Sequence, residues 1–242
     1  SDVIKDINDI PVIESMEGSK IIDGNIVNNK HVLNLIENKR IQSLMNVLLN
    51  CEQTSSFDFK WLRAVTPKQN TGIHVDNVYM NRGCNTLTCW IPFHDISVQN
   101  GGLCILDGSY HYNGYQSFRE LYGNIDVDKI GLNGTGWFTT DPNDMTQFDT
   151  KNQKGIWRTA NFNAGDVLIF GLKTAHMSSV NTTNKIRISC DTRWFNSTLI
   201  PDQRYMGKCT AHNDNRYGLY SSDTKQNSDK ITMNQLRLKW GI

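Results

Sequence analysis

Six short runs rich in β-branched and aromatic residues lie between Phe59 and Phe195, separated by turn-forming Asn, Gly and Asp. They cover 59–65, 86–91, 103–106, 158–162, 166–170 and 186–195. Runs of this length and punctuation build a β-barrel or a two-sheet sandwich. A chain of 242 residues suits one such domain, and no internal repeat or linker divides it. Ahead of the runs, Val32, Leu33, Leu35, Ile36, Ile41, Leu44, Met45, Leu48 and Leu49 recur mostly at spacings of three and four. That period predicts one or two amphipathic helices over 31–50, packed on the outside of a sheet. Residues 1–30 read as irregular and polar apart from an apolar patch at 10–13, and 231–240 reads as a short closing helix. The stretch 110–155 is long and poorly patterned, which in a compact domain marks a lid-like insertion. The expected organisation is a single domain over 1–242, with a helical flank at 31–50 and a barrel core at 59–207.

Composition narrows the partners. A net charge of +1 gives no broad electrostatic case for nucleic acid or an anionic membrane. With 20% charged and 38% apolar residues, the chain is expected to be globular rather than disordered, and no apolar stretch approaches a membrane span. The expected partner is a small-molecule substrate, and the expected state a monomer or weak homo-oligomer. Of Cys51, Cys84, Cys89, Cys104, Cys190 and Cys209, none forms a Cys-x-x-Cys pair, which argues against a zinc-thiolate site. Cys89, Cys104 and Cys190 fall in apolar runs and are expected to be reduced and buried. No signal peptide is expected from Ser1-Asp2-Val3-Ile4-Lys5, and the expected compartment is the cytoplasm.

The chemistry concentrates in a split set of donors. His74 and Asp76 are two apart, just past the 59–65 run, and His176 follows the 166–170 run. Alternation in an extended strand would place His74 and Asp76 on one face. Two imidazoles and one carboxylate make the facial set that holds Fe(II) and leaves three positions open. The pair alone is also what an ordinary buried polar pair looks like. The strand beside His176 and the basic residue Arg187, eleven positions on, favour the metal reading. On a strand after His176, alternation sets Ile186 and Ile188 opposite Arg187. If that strand pairs with the one before His176, Arg187 points into the barrel.

Further motifs surround these residues: Trp90-Ile91-Pro92-Phe93-His94-Asp95, Asn100-Gly101-Gly102-Leu103, Gly165-Asp166-Val167-Leu168-Ile169-Phe170, His176-Met177-Ser178, Asn181 and Arg187-Ile188-Ser189. In this order they resemble the phytanoyl-CoA dioxygenase family of Fe(II)/2-oxoglutarate oxygenases, over roughly 59–207. The resemblance is stronger to a branch carrying Gly134-Thr135-Gly136-Trp137-Phe138, Ser189-Cys190-Asp191-Thr192-Arg193 and Asp202-Gln203-Arg204-Tyr205. It implies a mainly β fold, a double-stranded β-helix of jelly-roll or cupin-like type with flanking N-terminal helices. It also implies that His74, Asp76 and His176 are metal ligands, and that Arg187 and Ser178 hold the far carboxylate of 2-oxoglutarate. Trp90 either lines the cosubstrate or packs in the core. Arg63 either meets the other carboxylate or lies on the surface. The implied reaction uses O2 and 2-oxoglutarate, releases succinate and CO2, and hydroxylates an unactivated C–H bond. The presence of Asp76 favours hydroxylation over halogenation. One departure is Asp107-Gly108-Ser109-Tyr110, with His111 one place later, where the family reads Pro-Gly-Ser-His.

Substrate identity is less legible. Tyr112, Tyr115, Trp137, Phe138 and Trp157 either wall a pocket or anchor the insertion. Tyr79 and Arg82 are candidates for the pocket mouth. Arg193 shares strand parity with Arg187, and Asp191 is its expected structural partner. His94, His111 and His212 read as structural or exposed. Two alternatives belong to other classes: a barrel that binds metal and 2-oxoglutarate without turnover, and a cupin-like metal isomerase. The second leaves Arg187 and Ser178 without a task. Nucleic-acid demethylation is disfavoured by the neutral charge.

Overall fold

The longest strand, β10 (Arg187–Asn196), has neighbours along both edges and sets the architecture. In the computed structural model, which describes residues 12–13, 20–22, 26, 28–207 and 230–242, ten strands form two antiparallel sheets. The larger sheet runs β1 (Val12–Ile13), β2 (Lys20–Ile22), β4 (Trp61–Val65), β10, β5 (Thr86–Pro92), β8 (Leu168–Gly171), with β3 (Thr54–Ser56) also on β10. The smaller runs β7 (Ile156–Arg158), β6 (Leu103–Asp107), β9 (His176–Ser178). It continues past β9 through single bridges, His74 to His176 and Ile73 to Thr139. Side chains from both sheets line one cavity, so the layers face each other as a jelly-roll barrel.

Register decides what enters that cavity. Arg187 pairs with Val65, Ser189 with Arg63 and Asp191 with Trp61 on β4; Asp191 pairs with Trp90 and Arg193 with Thr88 on β5. These residues share the inward parity. The opposite parity carries Leu62, Ala64, Cys89, Ile91, Ile188, Cys190 and Trp194, buried beneath two helices. These are α1 (Lys30–Ile36) and α2 (Lys39–Leu48), which contribute Val32, Ile36, Ile41 and Met45 to the same cluster. Asn29 caps α1 by accepting from the His31 N–H, and Asn38 caps α2 through Arg40 and Ile41, so the expected helical stretch breaks at Asn38 into two. The expected closing helix is α3 (Met233–Trp240), opened by a Thr232–Gln235 capping box and stopped by Gly241 at φ 73°.

Several expectations are corrected. Residues 12–13 and 20–22 are strands rather than irregular chain, because β2 adds to the free edge of β4. The strand expected at 158–162 lies at Ile156–Arg158, and Phe162 keeps only a bridge to Ile96. The short β3 and β9 carry too few residues to register as periodic runs. Cys89, Cys104 and Cys190 are buried free thiols, while Cys209 and His212 lie outside the described residues. No helix among the described residues is long and apolar enough to cross a membrane.

The 110–155 stretch is built from short 3-10 and π turns around its own aromatic core. Phe118 lies 5.2 Å from Phe138 and 5.4 Å from Phe148, ring centre to ring centre. Tyr115 and Phe138 are fully buried there, so these two anchor the insertion. Apolar burial holds the helix layer together with polar ties from Glu37, Gln42 and Asn46 to Ser56, Lys60 and Thr54, and the apolar part fixes its response to truncation. Met45→Ala, at a site with no exposure, is expected to cost about 2–5 kcal/mol. Val47→Ala, 76% exposed on the same helix, is expected to stay within about 0.5 kcal/mol. Denaturant midpoints at constant slope measure both.

Candidate metal centre

Backbone pairing brings the two histidines together. His74 and His176 exchange both main-chain hydrogen bonds, at 3.0 and 2.9 Å, so they are directly opposed residues of an antiparallel pair. Opposed residues project to one face, and the imidazole ring centres lie 4.1 Å apart. His74 Nδ1 lies 2.8 Å from the Gly72 carbonyl, and His176 Nδ1 lies 3.0 Å from the Thr174 carbonyl. A carbonyl can only accept, so each Nδ1 carries the hydrogen and each Nε2 presents its lone pair inward. Gly72 is required for closeness: a Cβ there would stand 2.6 Å from the Trp137 ring of the insertion.

Asp76 reaches the same point by a different route from the strand alternation expected of it. The chain leaves extended geometry after Val75, and Asp76 opens a 3-10 turn, Asp76–Val78. That turn swings the carboxylate between the imidazoles, with Oδ1 at 3.9 Å from His74 Nε2 and 3.8 Å from His176 Nε2. The three donor atoms lie within 4.8 Å of one another, and all three residues are buried. Thr88 Oγ1 donates to Asp76 Oδ2 at 2.6 Å, and Arg193 Nη2 donates to Oδ1 at 2.9 Å.

The electrostatics suit a cation. Burial lowers the His74 imidazole to about 3, helped by His176, and burial also lowers His176. Both rings are therefore neutral at neutral pH, the state a metal needs. Burial alone would raise the Asp76 carboxyl. Arg193, the two imidazoles and Thr88 outweigh it and hold the group well below the usual carboxylate range.

The other expected residues line the same cavity. Arg187 is buried, donates Nη1 to Ser189 Oγ at 2.9 Å and lies 5.8 Å from the Trp90 ring centre. Its Nε has no partner, and no carboxylate pairs with it among the described residues. Burial lowers its guanidinium to about 10, which still leaves it cationic at neutral pH. Ser178 Oγ accepts the Thr71 N–H at 2.7 Å and keeps its own hydrogen to donate. Trp90 is buried, and its Nε1 has no partner among the described residues. Arg63 faces the cavity rather than the surface, with Nε 2.7 Å from Asp191 Oδ2.

Three readings differ from expectation. Arg187 does enter the barrel, but β10 pairs with β3, β4 and β5, and it is β8 that takes the other edge of β5. Arg193 does not pair with Asp191: Arg63 takes that carboxylate, and Arg193 reaches across to Asp76. Tyr79 and Arg82 do not line the cavity, because Tyr79 donates to the Thr135 carbonyl and Arg82 pairs with Asp126 in a surface network. His111 is exposed, and His94 Nε2 accepts the Ile188 N–H, so both fit the structural or exposed reading. Thr88 and Thr71 escaped sequence reasoning. Thr88 had a signal, since it is two residues from Trp90 on one strand.

No curated protein matches the chain. Solved structures of the same fold include SnoK, a non-heme alpha-ketoglutarate-dependent carbocyclase from nogalamycin biosynthesis, at 18% identity and a TM-score of 0.56. That match covers 82% of this chain and 72% of SnoK. The epimerase SnoN in complex with Fe3+, alpha-ketoglutarate and nogalamycin RO matches at 15% identity and 0.60, covering 95% and 81%. HygX from Streptomyces hygroscopicus, with nickel and 2-oxoglutarate bound, matches at 12% and 0.55, covering 81% and 77%. At these identities the likeness is one of fold. The sequence model described as phytanoyl-CoA dioxygenase (PhyH) matches residues 16–189, starting earlier than the motif-based resemblance and containing all the metal donors and Arg187. The chain belongs to the phytanoyl-CoA dioxygenase family.

Proposed function

We propose that this chain is an Fe(II)- and 2-oxoglutarate-dependent oxygenase that hydroxylates an unactivated C–H bond of a small or medium-sized molecule. One observation carries the reading: a buried arginine with no carboxylate partner among the described residues faces the same cavity as a buried two-histidine, one-carboxylate cluster. A buried charge without a counter-ion is costly, so Arg187 is built for an anion that arrives. An arginine fork suits a carboxylate better than lysine does. The donor set likewise fits iron, with nitrogen and oxygen donors and no thiolate.

The residues divide the work. His74 and His176 offer Nε2 lone pairs, and Asp76 offers Oδ1. Arg187 holds the far carboxylate of 2-oxoglutarate, with the Ser178 hydroxyl as second donor and Trp90 as the wall beside it. Bound there, iron and 2-oxoglutarate would activate O2 against C–H bonds, one oxygen atom leaving in succinate as CO2 is released and the other going to the substrate. The protein excludes water: His74, Asp76 and His176 are each no more than 5% exposed, and the aromatic insertion packs beside them, bridging Thr139 to Ile73 and setting Trp137 against Gly72. The carbocyclase and epimerase among the structures of this fold show other reaction outcomes in those proteins. Hydroxylation is our reading here because Asp76 is retained. The small or medium-sized substrate of this reading is supported by SnoN, whose solved complex holds nogalamycin RO.

His176→Ala is expected to abolish Fe(II) binding and turnover, read by metal titration and succinate release. Arg187→Met is expected to cost about 2–5 kcal/mol of 2-oxoglutarate binding, about thirtyfold or more in Kd, with metal affinity changed only a few-fold. Retained Fe(II) binding and turnover in the His176 variant would sink the proposal. Because burial lowers both imidazoles below the ordinary histidine value, metal affinity should fall less from about pH 8 to about pH 6 than it would at exposed histidines. Exposed histidines, protonating near pH 6.5, would lose affinity across that range. Metal titration at both ends of the window separates the two behaviours.

A further inference from the structure

Arg193 is the cation the proposed function does not use. It is 1% exposed, lies on the inward parity of β10, and stacks with its guanidinium carbon 4.6 Å from the centre of the Trp61 ring. Among the described residues its sole carboxylate is Asp76, through Nη2. Its Nε and Nη1 are buried without a hydrogen-bond partner there, and the side chain lines the metal-site cavity.

Charge counting shows what is missing. Arg63 and Asp191 neutralise each other at 2.7 Å. Arg187 is unmatched and waits for the far end of a dicarboxylate. Arg193 has only Asp76, and Asp76 is also the one carboxylate of the metal cluster. Any divalent ion taken by Asp76 Oδ1 must share that oxygen with Arg193. The single negative charge then faces three positive ones in a buried site, so a second anionic oxygen is needed beside Arg193. We infer that Arg193 binds the metal-side carboxylate, C1, of the 2-oxo acid, so that β10 grips the cosubstrate at both ends through Arg187 and Arg193. Arg63, committed to Asp191, is the weaker candidate for that end. Thr88, the cross-strand partner of Arg193, holds the other oxygen of Asp76 and keeps the carboxylate from turning away as the charge arrives.

This inference rests on the 2-oxo-acid reading of the site. Its test uses Co(II)-loaded protein, whose visible bands report ligation without turnover, titrated separately with 2-oxoglutarate and with oxalate. Oxalate has the metal-chelating end and nothing for Arg187 to hold. Arg193→Gln keeps a donor for Asp76 but loses the charge. It should weaken both ligands by about thirtyfold or more, and Arg193→Lys should recover much of the loss. Arg187→Met should weaken 2-oxoglutarate far more than oxalate. An Arg193→Gln protein that binds oxalate like wild type overturns the inference. So does one that no longer holds Co(II), since the arginine would then act on Asp76 alone. Wild-type protein that binds oxalate, sensitively to Arg193, but not 2-oxoglutarate would remove the cosubstrate reading and leave the metal-side anion site standing. Binding of neither removes both.

Discussion

The pair of main-chain hydrogen bonds between His74 and His176 is the interaction on which the site depends. It extends the smaller sheet by one rung, and in doing so sets two imidazoles side by side. Because the register of an antiparallel pair is discrete, a slip of one residue would send one ring to the opposite face. The rest of the local structure holds that register. Gly72 and Thr174 supply the carbonyls that fix the ring tautomers, and the Trp137 ring fills the space where any other residue at 72 would place a Cβ.

The third donor joins the two layers of the barrel. Asp76 comes from the turn after the extended sheet edge, yet its oxygens are held by Thr88 and Arg193, a cross-strand pair of the larger sheet. The carboxylate therefore fixes the spacing between layers as well as the donor geometry. The larger sheet has both faces buried, one under α1 and α2 and the other against the cavity. This explains why β10 alternates apolar side chains with arginine, serine and aspartate rather than with exposed residues. Arginines placed there carry charge into a region with few counter-ions among the described residues, and the anions proposed to bind them would relieve that imbalance.

Much of this was legible in the chain. The longer runs announced their strands, the spacing of three and four announced the helices, and the ordered motifs singled out His74, Asp76, His176 and Arg187, which the structure brings to one cavity. What escaped has physical causes. Asp76 is brought in by a 3-10 turn, which strand alternation does not describe. The partner of Arg193 depends on a contact between sheets, across 117 residues of sequence, whereas Asp191 lay close along the chain and looked the natural mate. Trp90 and Ser178 could be placed by parity, but only the packed structure shows that the Trp90 indole N–H and the Arg187 Nε have no partners among the described residues. β2 was missed because a three-residue strand has no readable period; it exists because the edge of β4 is open to it.

The most direct test of the account is an anaerobic titration of metal-free protein with Fe(II) and then 2-oxoglutarate, followed by visible absorption. The account predicts a weak metal-to-ligand charge-transfer band that forms only when both are present. Fe(II) bound at this site, with no band at saturating 2-oxoglutarate, would contradict it.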